Sequence, residues 1–179
     1  MKIFGLAGWS GSGKTTLMVR LIPEIVVRGL RVSTMKHAHH DFDIDQPGKD
    51  SYEHRAAGAS EVMISSARRF ALMHELRGAP EPPVEELIRQ MTPVDLLLIE
   101  GFKAHGHDKL EVHRPSLGKK LLSPDDPRIV AVASDAPVPG LRVPLLDLDD
   151  VPVIAEFILA HCRLTRRTQP SSRADMRTD

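Results

Sequence analysis

The chain of 179 residues holds one cysteine, one tryptophan, one tyrosine and five phenylalanines. Cys162 alone cannot form an intrachain disulfide, so a reducing compartment, the cytoplasm, is the expected home. No apolar run approaches the roughly 20 residues needed to cross a bilayer. The apolar stretch Met1 to Ala7 is short and runs into polar, glycine-rich sequence, so it reads poorly as a signal peptide. A charge excess is also missing: 24 basic residues balance 24 acidic ones. The balance is uneven, because residues 163–179 carry five arginines and two aspartates, leaving a net −3 on residues 1–162. A slightly acidic body excludes coating of nucleic acid as the main task. The 41 % hydrophobic content then supports one domain, residues 1–162, with a core needing no covalent staples. Residues 163–179 form a basic tail, expected to be disordered.

What is present alternates between strand and helix patterns. Lys2 to Ala7 reads as a buried strand, followed by a glycine-rich turn and a helix from Lys14 to about Arg28. Leu17, Met18, Leu21, Ile22, Ile25 and Val26 give that helix its apolar face. Leu30 to Lys36 reads as a second strand, and Asp50 to Ala57 as a weaker helix with Asp50 as a candidate cap. Residues 61–65 and 70–75 read as a hairpin. A helix follows over Val84 to Met91, then strands over 95–100, 109–113, 129–133 and 143–146. Asp150 caps a last helix that carries Pro152 in its first turn. The order predicts an α/β fold: a three-layer, mainly parallel sheet with helices on both faces and an antiparallel hairpin extension.

The sharpest motif is Gly8-Trp9-Ser10-Gly11-Ser12-Gly13-Lys14-Thr15, which fits the phosphate-binding pattern G-x-x-x-x-G-K-[ST] of the P-loop. Glycines let successive backbone N–H groups turn inward toward phosphate oxygens. The helix that starts here adds its positive end. Gly11, Ser12, Gly13, Lys14, Thr15 and Thr16 are thus the candidate phosphate ligands, with Lys14 the group that reaches the β- and γ-phosphates. Thr15 offers a hydroxyl to Mg²⁺. Trp9 either packs on a neighbouring element or stacks on the nucleotide. Glu100 ends the Leu96-Leu97-Leu98-Ile99 run, where a P-loop protein places its Mg²⁺-linked carboxylate; a surface acid is the plain alternative.

Three histidines and three aspartates crowd residues 37–45. Asp41 and Asp43 suit a loop that closes on Mg²⁺, and either could act as a catalytic base. His37, His39 and His40 suit a transition metal, and a plain solvated loop explains the same residues. His105, His107, His113, Lys103 and Arg114 form a second polar stretch that alone decides nothing. Ser134 and Asp135 end the strand from Ile129, where ligands of open α/β sheets sit. There Asp135 can accept two hydrogen bonds from guanine, which adenine cannot offer, or it caps a turn. No arginine lies in the phosphate loop or the acidic loop. Arg55, Arg68, Arg69 or a partner's arginine are the candidates to stabilise charge during phosphoryl transfer.

Segments 8–16, 36–51, 71–75, 96–103 and 132–135 together resemble the molybdopterin-guanine dinucleotide biosynthesis protein B (MobB) family, in order over residues 1 to about 160. The resemblance implies a homodimeric, GTP-binding, P-loop NTPase adapter with feeble GTPase activity. Its implied partner is the guanylyltransferase that attaches GMP to molybdopterin, with molybdopterin or its guanine dinucleotide as a further ligand. It places Gly11 to Thr16 on the phosphates, Thr15 and Glu100 on Mg²⁺, and Asp41 or Asp43 in the mobile loop; Asp135 as guanine reader is compatible with it. The competing readings are a P-loop small-molecule kinase, which predicts ATP preference, and a metal-delivery GTPase, which predicts tight nickel or zinc binding.

Overall fold

The computed structural model describes residues 1–38, 42–101 and 106–165. His39, His40, Asp41, Lys103, His105 and the tail from Arg166 lie outside the described residues. The chain gathers into two compact units, one of Met1–His37 with the chain from Thr92 onward, the other of Ala38–Met91.

The first unit is a six-stranded sheet in which every pair is parallel. In chain order its strands are β1 (Lys2–Ala7), β2 (Val32–Lys36), β5 (Leu96–Glu100), β6 (Lys109–His113), β7 (Ile129–Ser134) and β8 (Leu145–Asp147). Their spatial order is β2-β5-β1-β6-β7-β8. Near-continuous apolar runs such as Leu96 to Ile99, all fully buried, are what a parallel strand covered on both sides requires. Helices α1 (Lys14–Val26) and α4 (Val151–His161) pack against each other over the face that carries Phe4, Leu6, Leu98, Leu110 and Ala131. Helix α1 buries Leu17, Met18, Leu21 and Ile25 of the expected stripe, while Ile22 is partly buried and Val26, the last helical residue, is 50 % exposed. It runs through Pro23 and closes at Gly29, whose φ of +80° suits glycine. Asp150 caps α4 by accepting from the Val153 N–H at 3.2 Å. Cys162 is buried against the same core, and burial pushes its thiol up to about 11, which marks it as a packing residue. Leu164 also packs on this core, two residues past the expected end of the domain.

Strand β6 departs from a simple pattern. Lys-Leu-Glu-Val-His alternates as a half-exposed strand would, yet all five residues are buried. Position explains it: β6 lies between β1 and β7, and the 119–128 segment closes over its polar side. Glu111 is fully buried and accepts from the Leu122 and Ser123 N–H groups at 2.8 Å each. Lys109 reaches Asp126 at 3.3 Å. His113, read from sequence as a surface or ligand-facing residue, is 7 % exposed.

The second unit holds α2 (Asp50–Ala56), β3 (Glu61–Ser65), β4 (Phe70–His74) and α3 (Val84–Gln90). The hairpin has the expected antiparallel register, Val62 opposite Met73 and Met63 opposite Leu72, and forms its own two-stranded sheet. Val62 and Met73 are buried, while Met63, Phe70 and Leu72 on the other face are 63 %, 72 % and 46 % exposed. Asp50 is the first helical residue of α2 and not its cap; Lys49 holds the cap position without a side-chain bond. An acid in the first turn still complements the helix dipole.

Candidate functional site

All strands of the main sheet point the same way, so their C-terminal ends form one rim, and the chain leaves β1 directly into the phosphate loop. The loop needs its glycines. Gly8, Gly11 and Gly13 have φ values of +141°, +81° and +99°, a region that side chains rarely enter. A Cβ on Gly8 would lie 2.5 Å from the Val112 carbonyl and 2.7 Å from Ser12 Oγ, whereas one on Gly11 would meet nothing within 4 Å. Gly11 is therefore a conformational requirement, and Gly8 a steric one as well.

Helix α1 begins at Gly13 with no side-chain cap and no acid in its first turn. Its first amide N–H groups are left for an anion. The Lys14 ammonium donates to the carbonyls of Gly8 and Trp9, both at 3.0 Å, so it lies across the loop. Thr16 is exposed on the first turn. Ser12 Oγ is buried without a hydrogen-bond partner among the described residues, a polar group that a polar ligand would satisfy. The Thr15 hydroxyl lies within 2.9 and 3.1 Å of the two Glu100 carboxylate oxygens, and Lys36 stands 3.9 Å from the same carboxylate. A hydroxyl beside a carboxylate is a hard oxygen pair, the donor type that Mg²⁺ takes. On this geometry the residues fit a nucleotide phosphate chain with its metal ion.

Trp9 is held from outside the loop. Its indole N–H donates to the Lys120 carbonyl at 2.8 Å, and Lys119 Nζ lies 6.0 Å from the ring centroid. This is the packing role of the two that the sequence allowed.

On the other flank, the register of β6 with β7 pairs His113 with Ser134. The next residues, Arg114 and Asp135, therefore emerge side by side. The Arg114 guanidinium donates through Nε to the Ser12 carbonyl at 3.1 Å and through Nη1 to Asp135 Oδ2. Ser134 is turned inward, where its hydroxyl accepts from the Ala136 N–H at 3.3 Å. The sequence alone places Arg114 in a polar stretch that decides nothing. The missing information was strand order: only with β6 between β1 and β7 does this arginine reach both the phosphate loop and Asp135.

Asp43 lies in the second unit, where Arg55 Nη2 donates to it at 2.7 Å and to Asp45 at 2.8 Å; Arg55 Nη1 also reaches Glu75 at 3.4 Å. The Asp45 bond, against the cost of burial and with help from Asp43, raises the Arg55 guanidinium above its ordinary value. Arg68 and Arg69 sit in the exposed hairpin turn. Asp41 and two of the three loop histidines fall outside the described residues. His37 is half-buried with its Cβ against Gly101. Among the described residues no cluster of three histidine, cysteine or acidic side chains is placed to hold a metal.

Comparison with known proteins gives matches over most of the chain. The family profile of molybdopterin guanine dinucleotide synthesis protein B (MobB) matches residues 3–135. The molybdopterin-guanine dinucleotide biosynthesis adapter protein of Escherichia coli K12 is 42 % identical over 163 residues, covering 88 % of this chain and 91 % of that one. Its counterpart in Haemophilus influenzae is 41 % identical over 159 residues, covering 87 % and 86 %. A crystal structure of molybdopterin-guanine biosynthesis protein B superposes with a TM-score of 0.69 at 30 % identity, covering 89 % of this chain and 99 % of that one. The chain belongs to the MobB family, and its fold is the P-loop α/β fold that the motif and strand order imply.

Proposed function

We propose that this chain is a GTP-binding adapter that assists the conversion of molybdopterin to molybdopterin guanine dinucleotide, with weak GTPase activity of its own. The observation that carries the nucleotide reading is the loop itself: Lys14 across it, an uncapped helix start behind it, and Thr15 against Glu100. In this reading Gly11 to Thr16 hold the phosphates and Thr15 with Glu100 hold Mg²⁺. That ion would neutralise phosphate charge when bound. Asp135 reads guanine, and the order β1-β6-β7 supports this by setting it at the end of a strand two places from the one that leads into the loop.

Weak turnover has support in the same order. The γ-phosphate side is the flank of Glu100 and Lys36, over β5 and β2, whereas the arginine bound to the loop, Arg114, stands on the opposite flank. An arginine delivered to the γ-phosphate is the common accelerator of this chemistry. The guanylyltransferase is the proposed partner, and contact with it is expected to raise the hydrolysis rate. A homodimer is supported by the apolar hairpin face of Met63, Phe70 and Leu72, which a second copy would cover. A cytoplasmic location agrees with the single buried thiol.

Titration with GTP and ATP analogues tests the core of this reading. The wild type is expected to prefer GTP, and Lys14→Ala to lose at least tenfold in affinity for it. ATP preference would overturn the guanine assignment. An unchanged Lys14→Ala variant would overturn the phosphate assignment.

A further inference from the structure

Arg114 is placed as nothing in the phosphate motif requires. It follows β6, one strand from the P-loop and one from Asp135, and its planar fork is used in two directions: Nε on the Ser12 carbonyl, Nη1 on Asp135 Oδ2. Its side chain is 34 % exposed and that of Asp135 28 %. Both contacts have consequences for a bound nucleotide.

The Ser12 carbonyl and the Gly13 N–H share one planar trans peptide, so they point in opposite directions. Holding the carbonyl toward Arg114 aims the Gly13 N–H the other way. A Cβ on Gly13 would stand 3.6 Å from Arg114 Nε and Nη2, so the guanidinium lies along this peptide. At the other end, a carboxylate has about four lone-pair sites, and one bond from Arg114 leaves the rest for a ligand. A carboxylate on a short side chain would otherwise rotate. The bond to a fixed guanidinium restricts it to one orientation.

We infer that Arg114 is a positioning residue for guanine specificity, fixing the Asp135 carboxylate toward the N1–H and exocyclic amine of the base and tying it to the phosphate loop. The inference rests on the reading of Asp135 as the guanine reader. A γ-phosphate role for Arg114 is disfavoured by its flank, since Thr15, Glu100 and Lys36 stand on the opposite side of β1.

Three nucleotides separate the possibilities, each titrated against the full chain with Mg²⁺ present. GTP offers both guanine donors, ITP lacks the exocyclic amine, and XTP replaces it with a carbonyl. For Arg114→Gln and Arg114→Lys, affinity for GTP is expected to fall by more than that for ITP. The GTP-to-ITP ratio should drop at least fivefold in the glutamine variant and less in the lysine variant, which keeps the charge without the fork. Equal losses for GTP and ITP would mean that Arg114 only supports the loop, and would overturn the inference. Asp135→Asn is the separate control: a gain in XTP over GTP supports the guanine reader. No gain removes that reader and the inference with it. A gain there, with an unchanged GTP-to-ITP ratio in both Arg114 variants, removes the inference alone. Circular dichroism and melting of each variant confirm that the folded protein is being titrated.

Discussion

Replacing Gly8 by alanine isolates the steric part of the phosphate loop. At φ +141° an L-residue is strained by about 1–3 kcal/mol. The new Cβ would also stand 2.5 Å from the Val112 carbonyl, a backbone oxygen of β6 at a residue paired with Ala133 of β7. That oxygen cannot swing away as a side chain would, and Ser12 Oγ blocks the other direction at 2.7 Å. Forcing such an overlap costs a further ~1–3 kcal/mol. The expected total is about 4 kcal/mol, or about 8–16 °C in melting temperature at 2–4 °C per kcal/mol for a chain of this size. Gly11→Ala is the matched control, since its Cβ meets nothing within 4 Å and it bears only the left-handed conformation, about 1–2 kcal/mol. Urea unfolding followed by circular dichroism gives both numbers on one scale. If the two variants differ by less than about 1 kcal/mol, contact with β6 is not what fixes Gly8, and the assigned clash is wrong.

Glu111→Ala strips two N–H groups of their acceptor and is expected to cost about 2–4 kcal/mol. It should also shift the emission of Trp9, the single tryptophan, whose partner Lys120 lies just before those groups; unchanged emission would show that the segment holds without the carboxylate. Arg55→Ala leaves the Asp45 carboxylate, 2 % exposed, without its cation, so the melting temperature should fall, and adding Asp45→Asn should recover part of the loss. No recovery in the double variant would mean that the pair is not the source. The hydrogen bond from His161, with that of Arg128 and against the opposing effect of burial, holds the Asp108 carboxyl below its ordinary value. A lowered carboxylate stabilises the fold above the unfolded value of about 3.9, and that contribution is lost as pH falls through the folded value. Wild type should therefore be more stable than Asp108→Asn at pH 6, with the gap closing below about pH 4. A gap that stays constant down to pH 2.5 would contradict the assignment.

Much of the architecture is legible in the sequence. The period of Leu17, Leu21 and Ile25 sets α1, and Asp150 with Pro152 sets the start of α4. The hairpin follows from two short runs around Ser66 to Arg69. These are local signals, carried by neighbours in sequence. Whatever depended on strand order was not readable. The alternation Lys109-Leu110-Glu111-Val112-His113 predicts one wet face, and only the distant 119–128 segment closing over that face explains why charges are buried there. Asp50 looked like a cap because caps and first-turn acids share a composition; one residue of register separates them. Within the site, the phosphate loop and Glu100 were legible because a strand and its following turn carry them. Arg114 was not, because its two partners lie 102 and 21 residues away.

The phosphate loop is fastened at two points that are not part of its motif. Trp9 is tied to the 119–128 segment, itself anchored on Glu111, and Ser12 is tied to Arg114. A glycine-rich loop left to itself would sample many shapes, and gathering it round an anion would remove that freedom at the moment of binding. Here the freedom is already spent during folding. Nucleotide association should then resemble the filling of a rigid mould, with a small entropic penalty and little change in backbone protection on binding. An adapter built so would hold its nucleotide in one posture long enough for another protein to read it.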